Sequence, residues 1–239
     1  MKGHHIKGCP FFIWRFRLAK PLFDPKSLPI DAIAGEPAVA RERLVPQWLR
    51  SRFAEQPVWT PESTDERHLR RPDGSPATAA SVLIPLVLRE TGLTILLTQR
   101  NADLTDHPGQ VSFPGGRAEA YDSGPVDTAL RESEEEIGLD RSHVDVIGTM
   151  PDYFTGTGYR VTPVVGLIAP PFELRPDPSE VAEIFEVPLA FLMDGLNHQR
   201  LSAQLPGGLR SFYAMPYGEY YIWGATAGML RNLFHFLRA

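Results

Sequence analysis

Residues 131–139 read RESEEEIGL, with four glutamates among the five positions from Glu132 to Glu136. A charge run alone describes a solvated helix face equally well, so the spacing has to carry the chemistry. On an α-helix, residues three and four apart share a face, and the carboxylates of Glu132, Glu135 and Glu136 therefore converge. Glu134 is rotated away by about half a turn, at roughly 100° per residue, and belongs to a solvated side. Converging carboxylates repel, and no lysine lies between residues 101 and 150 to relieve them. A hard divalent cation that prefers oxygen ligands, Mg²⁺ or Mn²⁺, would do so. Arg131 stands beside the cluster and is suited either to hold one carboxylate bidentately or to form an ordinary surface ion pair.

One helix-length earlier comes FPGG, residues 113–116. Gly115 and Gly116 permit close backbone approach, and a glycine loop leading to a helix can present amides to phosphate. Phosphate and metal would then share one site.

The elements that must position these groups follow from periodicity and punctuation. SVLIPLVL (81–88) and LTILLTQR (93–100) are β-rich runs joined by RETG, a hairpin pattern. A short strand fits 111–113. Pro125, Asp127 and Gly138 bracket a helix over 125–137. Further strands are expected at 144–149, 161–168, 181–187 and 211–216. The last helix spans about 223–237, with Trp223, Leu230, Leu233, Phe234 and Leu237 as core. Strands interleaved with well-separated helices give an α/β class, a mixed sheet sandwiched between helices. Residues 79–239 form the domain. Residues 1–78, rich in proline and charge, form an extension packed on it, with a short helix at 46–54 and an aromatic arm of Phe11, Phe12, Trp14 and Phe16.

GGRAEAYDSGPVDTALRESEEEIGL (115–139) resembles the Nudix box, a loop–helix signature ending in Arg-Glu-x-x-Glu-Glu-x-Gly. Arg131, Glu132, Glu135, Glu136 and Gly138 fall on its final block. Ser123 stands where the general spacing puts an acid, and Ser133 where an aliphatic residue is usual. Counted from the double glycine, Glu119 and Asp122 fall where the coenzyme A pyrophosphatase branch carries acids. LLTQRNADLTDHPGQVSFPGG (96–116) resembles that branch's upstream motif, departing from it at Asn101 and Thr105. PDYFTGTGYRVTPVVG (151–166) and SEVAEIFEVPLAFLMD (179–194) also look like the family.

The resemblance implies a Nudix-like α/β/α sandwich and metal-dependent hydrolysis of a nucleoside diphosphate-linked substrate. Coenzyme A or acyl-coenzyme A is the first choice, giving adenosine 3′,5′-bisphosphate and a 4′-phosphopantetheine species. ADP-ribose or another dinucleotide is the alternative, and a non-catalytic nucleotide-binding module is the reading from another class. Glu132, Glu135 and Glu136 would hold Mg²⁺ or Mn²⁺, and Arg131 would position them. A strand at 181–187 puts Val181, Glu183, Phe185 and Val187 on one face, so Glu180 and Glu183 join Glu132 as candidate proton acceptors. Arg100, Gly115, Gly116 and Arg160 are the substrate-binding candidates, and Tyr153 and Tyr159 line either a groove or the core. The resemblance also implies a homodimer.

Bulk properties agree. The 239 residues are 43% hydrophobic and 22% charged, a globular composition. A net charge of −5 argues against a nucleic-acid partner held by phosphate neutralisation. Cys9 is the single cysteine, which excludes an internal disulfide and a cysteine-rich zinc site and fits a reducing cytoplasm. The longest apolar run of the basic N-terminus, PFFIW, is too short for a membrane segment.

Overall fold

The computed structural model describes residues 24–62, 74–104, 107–205 and 208–239. The aromatic arm and Thr105 lie outside these residues. In chain order the elements are β1 (Ile30–Ile33), α1 (Pro46–Glu55), β2 (Thr78–Arg89), β3 (Gly92–Arg100), β4 (Val111–Ser112), β5 (Gly115–Arg117), α2 (Pro125–Ile137), β6 (Val144–Thr149), β7 (Tyr153–Phe154), β8 (Tyr159–Ile168), β9 (Val181–Pro188), α3 (Leu189–Leu192), β10 (Gln199–Leu205), β11 (Gly208–Tyr217), β12 (Tyr220–Trp223) and α4 (Gly224–Arg238).

The β2–β3 hairpin forms as expected, with Arg89 opposite Gly92. β2 also pairs with β8 in parallel, in register from Thr78–Tyr159 to Val87–Ile168. The resulting mixed sheet runs β4-β3-β2-β8-β6, with β5 on β2, β7 on β8 and β9 on β3. Alternation along β2 divides the two cores, because successive side chains point to opposite faces. Leu83 and Val87 pack with Ala129 and Ile137 of α2. Ile84 and Leu86 pack with Leu230, Leu233 and Phe234 of α4 and with Leu49 and Phe53 of α1. This is the expected mixed sheet between helices.

A second sheet, antiparallel in the order β1-β10-β11-β12, goes beyond the single sheet that the pattern suggests. Its strand β10 reads QRLSAQL, and only Leu201 and Ala203 are buried. A sheet with one wet face alternates polar and apolar residues, and here the apolar half is too sparse to signal a strand.

Four charged residues of the segment 24–62, Glu36, Arg43, Arg52 and Glu62, meet α4. Arg43 Nη1 donates to the Leu237 and Arg238 carbonyls at 3.0 and 2.9 Å, and Arg52 donates twice to the Phe236 carbonyl. Cations at a helix C-terminus satisfy its last carbonyls and oppose its dipole. Arg231, 3% exposed, is met by Glu36, whose Oε2 accepts from Nη1 at 3.0 Å and whose Oε1 pairs with Nη2. Its Nε lies 3.4 Å from Glu62 Oε2. His198 completes the set. Its Nε2 faces the Leu192 carbonyl at 2.8 Å and so must carry the proton, leaving Nδ1 to accept from Arg231 at 3.1 Å. Burial pushes that imidazole down to about 4.

The Arg231 hydrogen bonds hold the Glu36 carboxyl down at about 2, against an ordinary 4.5. A depressed carboxyl pKa stabilises the fold above its unfolded value, and the gain is lost as pH falls through the folded value. Glu36→Gln should therefore cost about 1.5–3 kcal/mol at neutral pH. That deficit should shrink as pH falls from 4.5 towards 2, as read by urea unfolding of both proteins across the range.

Candidate active site

The acidic run lies on α2, which starts at Pro125 and stops at Gly138. The Gly138 amide caps the Glu134 carbonyl at 3.0 Å, and Leu139 N–H reaches the Ser133 carbonyl at 3.3 Å, the closure of a Schellman turn. The helix face with Ala129, Ser133 and Ile137 is fully buried. Ser133, the departure from an aliphatic residue, donates its hydroxyl to the Ala129 carbonyl at 2.7 Å. That bond satisfies its one polar group without disturbing the apolar contact. Glu134 is tied to Arg141 Nη2 at 2.7 Å, away from the other glutamates.

Arg131 does more than hold one carboxylate. Nε and Nη2 clamp Asp122 at 2.9 and 3.0 Å, and Nη1 donates to Glu132 at 2.9 Å and to Glu135 at 3.0 Å. Nη2 also donates to the Arg117 carbonyl at 3.0 Å. The bidentate fork is the geometry that guanidinium and carboxylate share. Asp122 further accepts from Thr128 Oγ1 at 2.8 Å and from the Glu119 amide at 2.9 Å, and the Arg131 bonds hold it well below the usual carboxylate range. Asp122 is therefore the acid that fixes Arg131, a role that the spacing of the sequence does not disclose.

Glu136 is the opposite case. It is 5% exposed, and burial pushes its carboxyl up to about 7. Its Oε2 accepts from the Gly115 amide at 3.0 Å, and its Oε1 lies 3.7 Å from Arg100 Nη1. The charges of Glu180 and Glu132 reinforce the rise. Burial also raises Glu132, against the pull of Arg131. The double glycine makes this packing possible. β5 pairs Gly115 with Val82 and Gly116 with Ser81. A Cβ on Gly115, whose φ is +153°, would strike the β2 backbone at Ser81 and Val82, and one on Gly116 would strike the Glu132 carboxylate.

The other candidates separate. Glu180 sits in the turn before β9, where its carbonyl accepts from Asn101 N–H at 2.8 Å, and its charge acts on Glu132 and Glu136. Glu183 does not share a face with Val181 as expected. The register between β3 and β9 shifts there, pairing Arg100 with Val181 but Gln99 with Glu183. This bulge adds a residue and flips the strand's side-chain alternation. Val181 therefore joins the α2 side, while Glu183 accepts from Tyr220 at 2.7 Å, and Tyr220 stacks on Phe185. Arg160 faces Asp152 at 3.7 Å. Tyr153 packs where Gly228 of α4 leaves room for its ring, and Tyr159 accepts two bonds from Arg117.

Among the described residues, no three acidic or histidine side chains are gathered as they stand to hold a metal ion. Glu132 and Glu135 turn to Arg131, and Glu135 is 57% exposed. The donor chemistry nevertheless fits a hard divalent cation. All the donors are carboxylate oxygens on one side of a helix, and Arg100, 3.7 Å from buried Glu136, does not offset its burial.

The two glycines should respond differently to a methyl group. Gly115→Ala meets backbone and should cost about 1–3 kcal/mol, a fall of roughly 2–10 °C in Tm. Gly116→Ala meets first the side-chain end of Glu132 and should lose less than half as much, by the same thermal melt.

The sequence model of the NUDIX domain family matches residues 77–205, more than half of the chain. Over 155 residues the chain is 43% identical to "Uncharacterized Nudix hydrolase NudL" of Escherichia coli K12, covering 64% of this chain and 80% of that relative. NudL of Shigella boydii serotype 18 gives the same figures. Among solved structures, the Nudix hydrolase RenU of M. smegmatis superimposes with TM-score 0.43 at 22% identity, over 51% of this chain and 78% of that one. A MutT/nudix family protein from Enterococcus faecalis gives TM-score 0.43 at 14% identity, over 77% and 71%. With its box, its mixed sheet between helices and this extent of similarity, the chain belongs to the Nudix hydrolase family.

Proposed function

We propose that this Nudix hydrolase cleaves the diphosphate of coenzyme A or acyl-coenzyme A, releasing adenosine 3′,5′-bisphosphate and a 4′-phosphopantetheine species. Family membership supports the coarser part, since Nudix hydrolases are pyrophosphohydrolases that generally use divalent metals such as Mg²⁺ or Mn²⁺. The observation that carries the reading here is Glu136. It is a buried carboxylate raised to about 7, beside Glu132 and Glu180 and against the Gly115 amide. A divalent cation shared by Glu132, Glu135 and Glu136 would balance that charge.

When bound, such a cation supplies charge neutralisation for the diphosphate and a lowered pKa for water. The chain's own residues do the rest. Arg131 orients Glu132 and Glu135 and is itself fixed by Asp122. Arg100, beside Glu136, would meet a phosphate oxygen. Water adds to phosphorus, the bridging P–O bond breaks towards the departing phosphate, and the water's proton passes to Glu180. Glu180 is favoured over Glu183 because Glu183 is bound to Tyr220 across the sheet. The coenzyme A choice leans on the upstream motif that ends at Gly116.

Glu136→Gln should lower kcat/KM by about a hundredfold or more with Mg²⁺ or Mn²⁺, and Glu135→Gln by less, because Glu135 is largely exposed. Unchanged hydrolysis in both would sink the metal-site assignment. Mass spectrometry of coenzyme A digests tests the substrate: adenosine 3′,5′-bisphosphate should appear. Its absence, with ADP-ribose cleaved instead, would replace coenzyme A by the alternative.

A further inference from the structure

We infer that Asn101 is a positioning residue for the reaction, holding the turn 177–180 so that Glu180 stands beside the acidic cluster. This role rests on the proposal above that Glu180 accepts the water's proton.

The turn joins the two elements that carry Glu136 and Arg100. At its first end, main-chain bonds dock the chain on the C-terminus of α2. Arg175 N–H donates to the Ile137 carbonyl at 2.8 Å, and Asp177 N–H to the Glu136 carbonyl at 2.9 Å. These are carbonyls that a helix leaves without a partner in its last turn, and the bonds make no use of the side chains at 175 and 177. Within the turn, the Glu180 and Val181 amides both donate to the Asp177 carbonyl, at 3.0 and 2.8 Å. Asp177 Oδ1 accepts from the amide and the hydroxyl of Ser179, at 2.8 and 2.6 Å.

The second end depends on a side chain. Asn101 follows Arg100, the last residue of β3. Its N–H donates to the Glu180 carbonyl at 2.8 Å, and its Nδ2 donates to the Pro178 carbonyl at 2.7 Å. Its Oδ1 accepts from Asp103 N–H at 3.0 Å. These partners fix which way the amide faces, because a flip would set oxygen against oxygen at Pro178. One residue thus grips the turn at both 178 and 180. Arg100 lies 3.7 Å from Glu136, and Glu136 gives its own carbonyl to Asp177. The ring of contacts through α2, the turn and β3 is therefore closed, and Glu180 sits at the closure. Its charge acts on both Glu132 and Glu136. Asn101 is also a place where the upstream motif departs from the branch it resembles, so the grip comes from this sequence and not from the resemblance. A serine there keeps the main-chain bond and can still cap Asp103, but its side chain stops one bond short of Pro178.

The test uses the full chain with Mg²⁺ or Mn²⁺, with coenzyme A and ADP-ribose run side by side. Asn101→Ser should lower kcat about tenfold and leave KM within about twofold. Glu180→Gln should lower kcat about a hundredfold. Adding Asn101→Ser to it should change kcat by less than about twofold, because the group being positioned is already gone. In the metal-free protein, amide hydrogen exchange at Glu180 and Val181 should speed up about tenfold in Asn101→Ser. A wild-type kcat in Asn101→Ser, or effects that simply multiply in the double variant, would overturn the positioning role and leave the hydrolase reading intact. If Glu180→Gln keeps the wild-type kcat, Glu180 is not the proton acceptor and the role of Asn101 falls with it. If the wild type cleaves neither substrate, the proposed function itself fails.

Discussion

The site is organised by a single guanidinium among crowded carboxylates. Arg131 meets Asp122, Glu132, Glu135 and a main-chain carbonyl, and this set decides which acids are content and which are not. Asp122 receives a bidentate pair and two further donors, so it is held ionised and immobile. Glu132 shares one nitrogen with Glu135 and stays partly frustrated by burial. Glu136 lies beyond the arginine's reach. It pays the desolvation cost, and the Gly115 amide and Arg100 at 3.7 Å do not fully offset it. One helix thus carries a structural acid clamp and an acid raised by burial side by side.

The sheet supplies the walls that make this arrangement rigid. β5 is three residues long, and its glycines bring the chain against β2 on one side and against Glu132 and Glu136 on the other. A side chain at Gly115 would push the loop off β2, and one at Gly116 would displace the Glu132 carboxylate. The bulge at the start of β9 turns Val181 to the α2 side and Glu183 to the opposite face. On that opposite face, residues 24–62 are joined to α4 through Arg43, Arg52 and the Glu36–Arg231 pair. The helix that backs the catalytic sheet is thereby held by charge as well as by apolar contact.

Local patterns were enough for the elements around the site. Helix α2 and strand β6 run over the expected residues, 125–137 and 144–149, because proline, glycine and apolar period all agree there. The convergence of Glu132, Glu135 and Glu136 is a property of helical geometry, and so is the separation of Glu134. Strands β1, β10 and β12 of the second sheet were not legible. Each is short or half wet, and its apolar residues acquire meaning only from the layer that they cover.

Sequence by itself therefore determined the acidic face, the glycine loop before it and the family to which both belong, since each depends on residues close together in the chain. Tertiary structure alone decided that Asp122 is the partner of Arg131 and that Gly115 gives its amide to Glu136. It also decided that a one-residue bulge parts Glu183 from Val181. Those outcomes depend on register and on which face a side chain meets, and a shift of one residue reverses them without altering any local pattern.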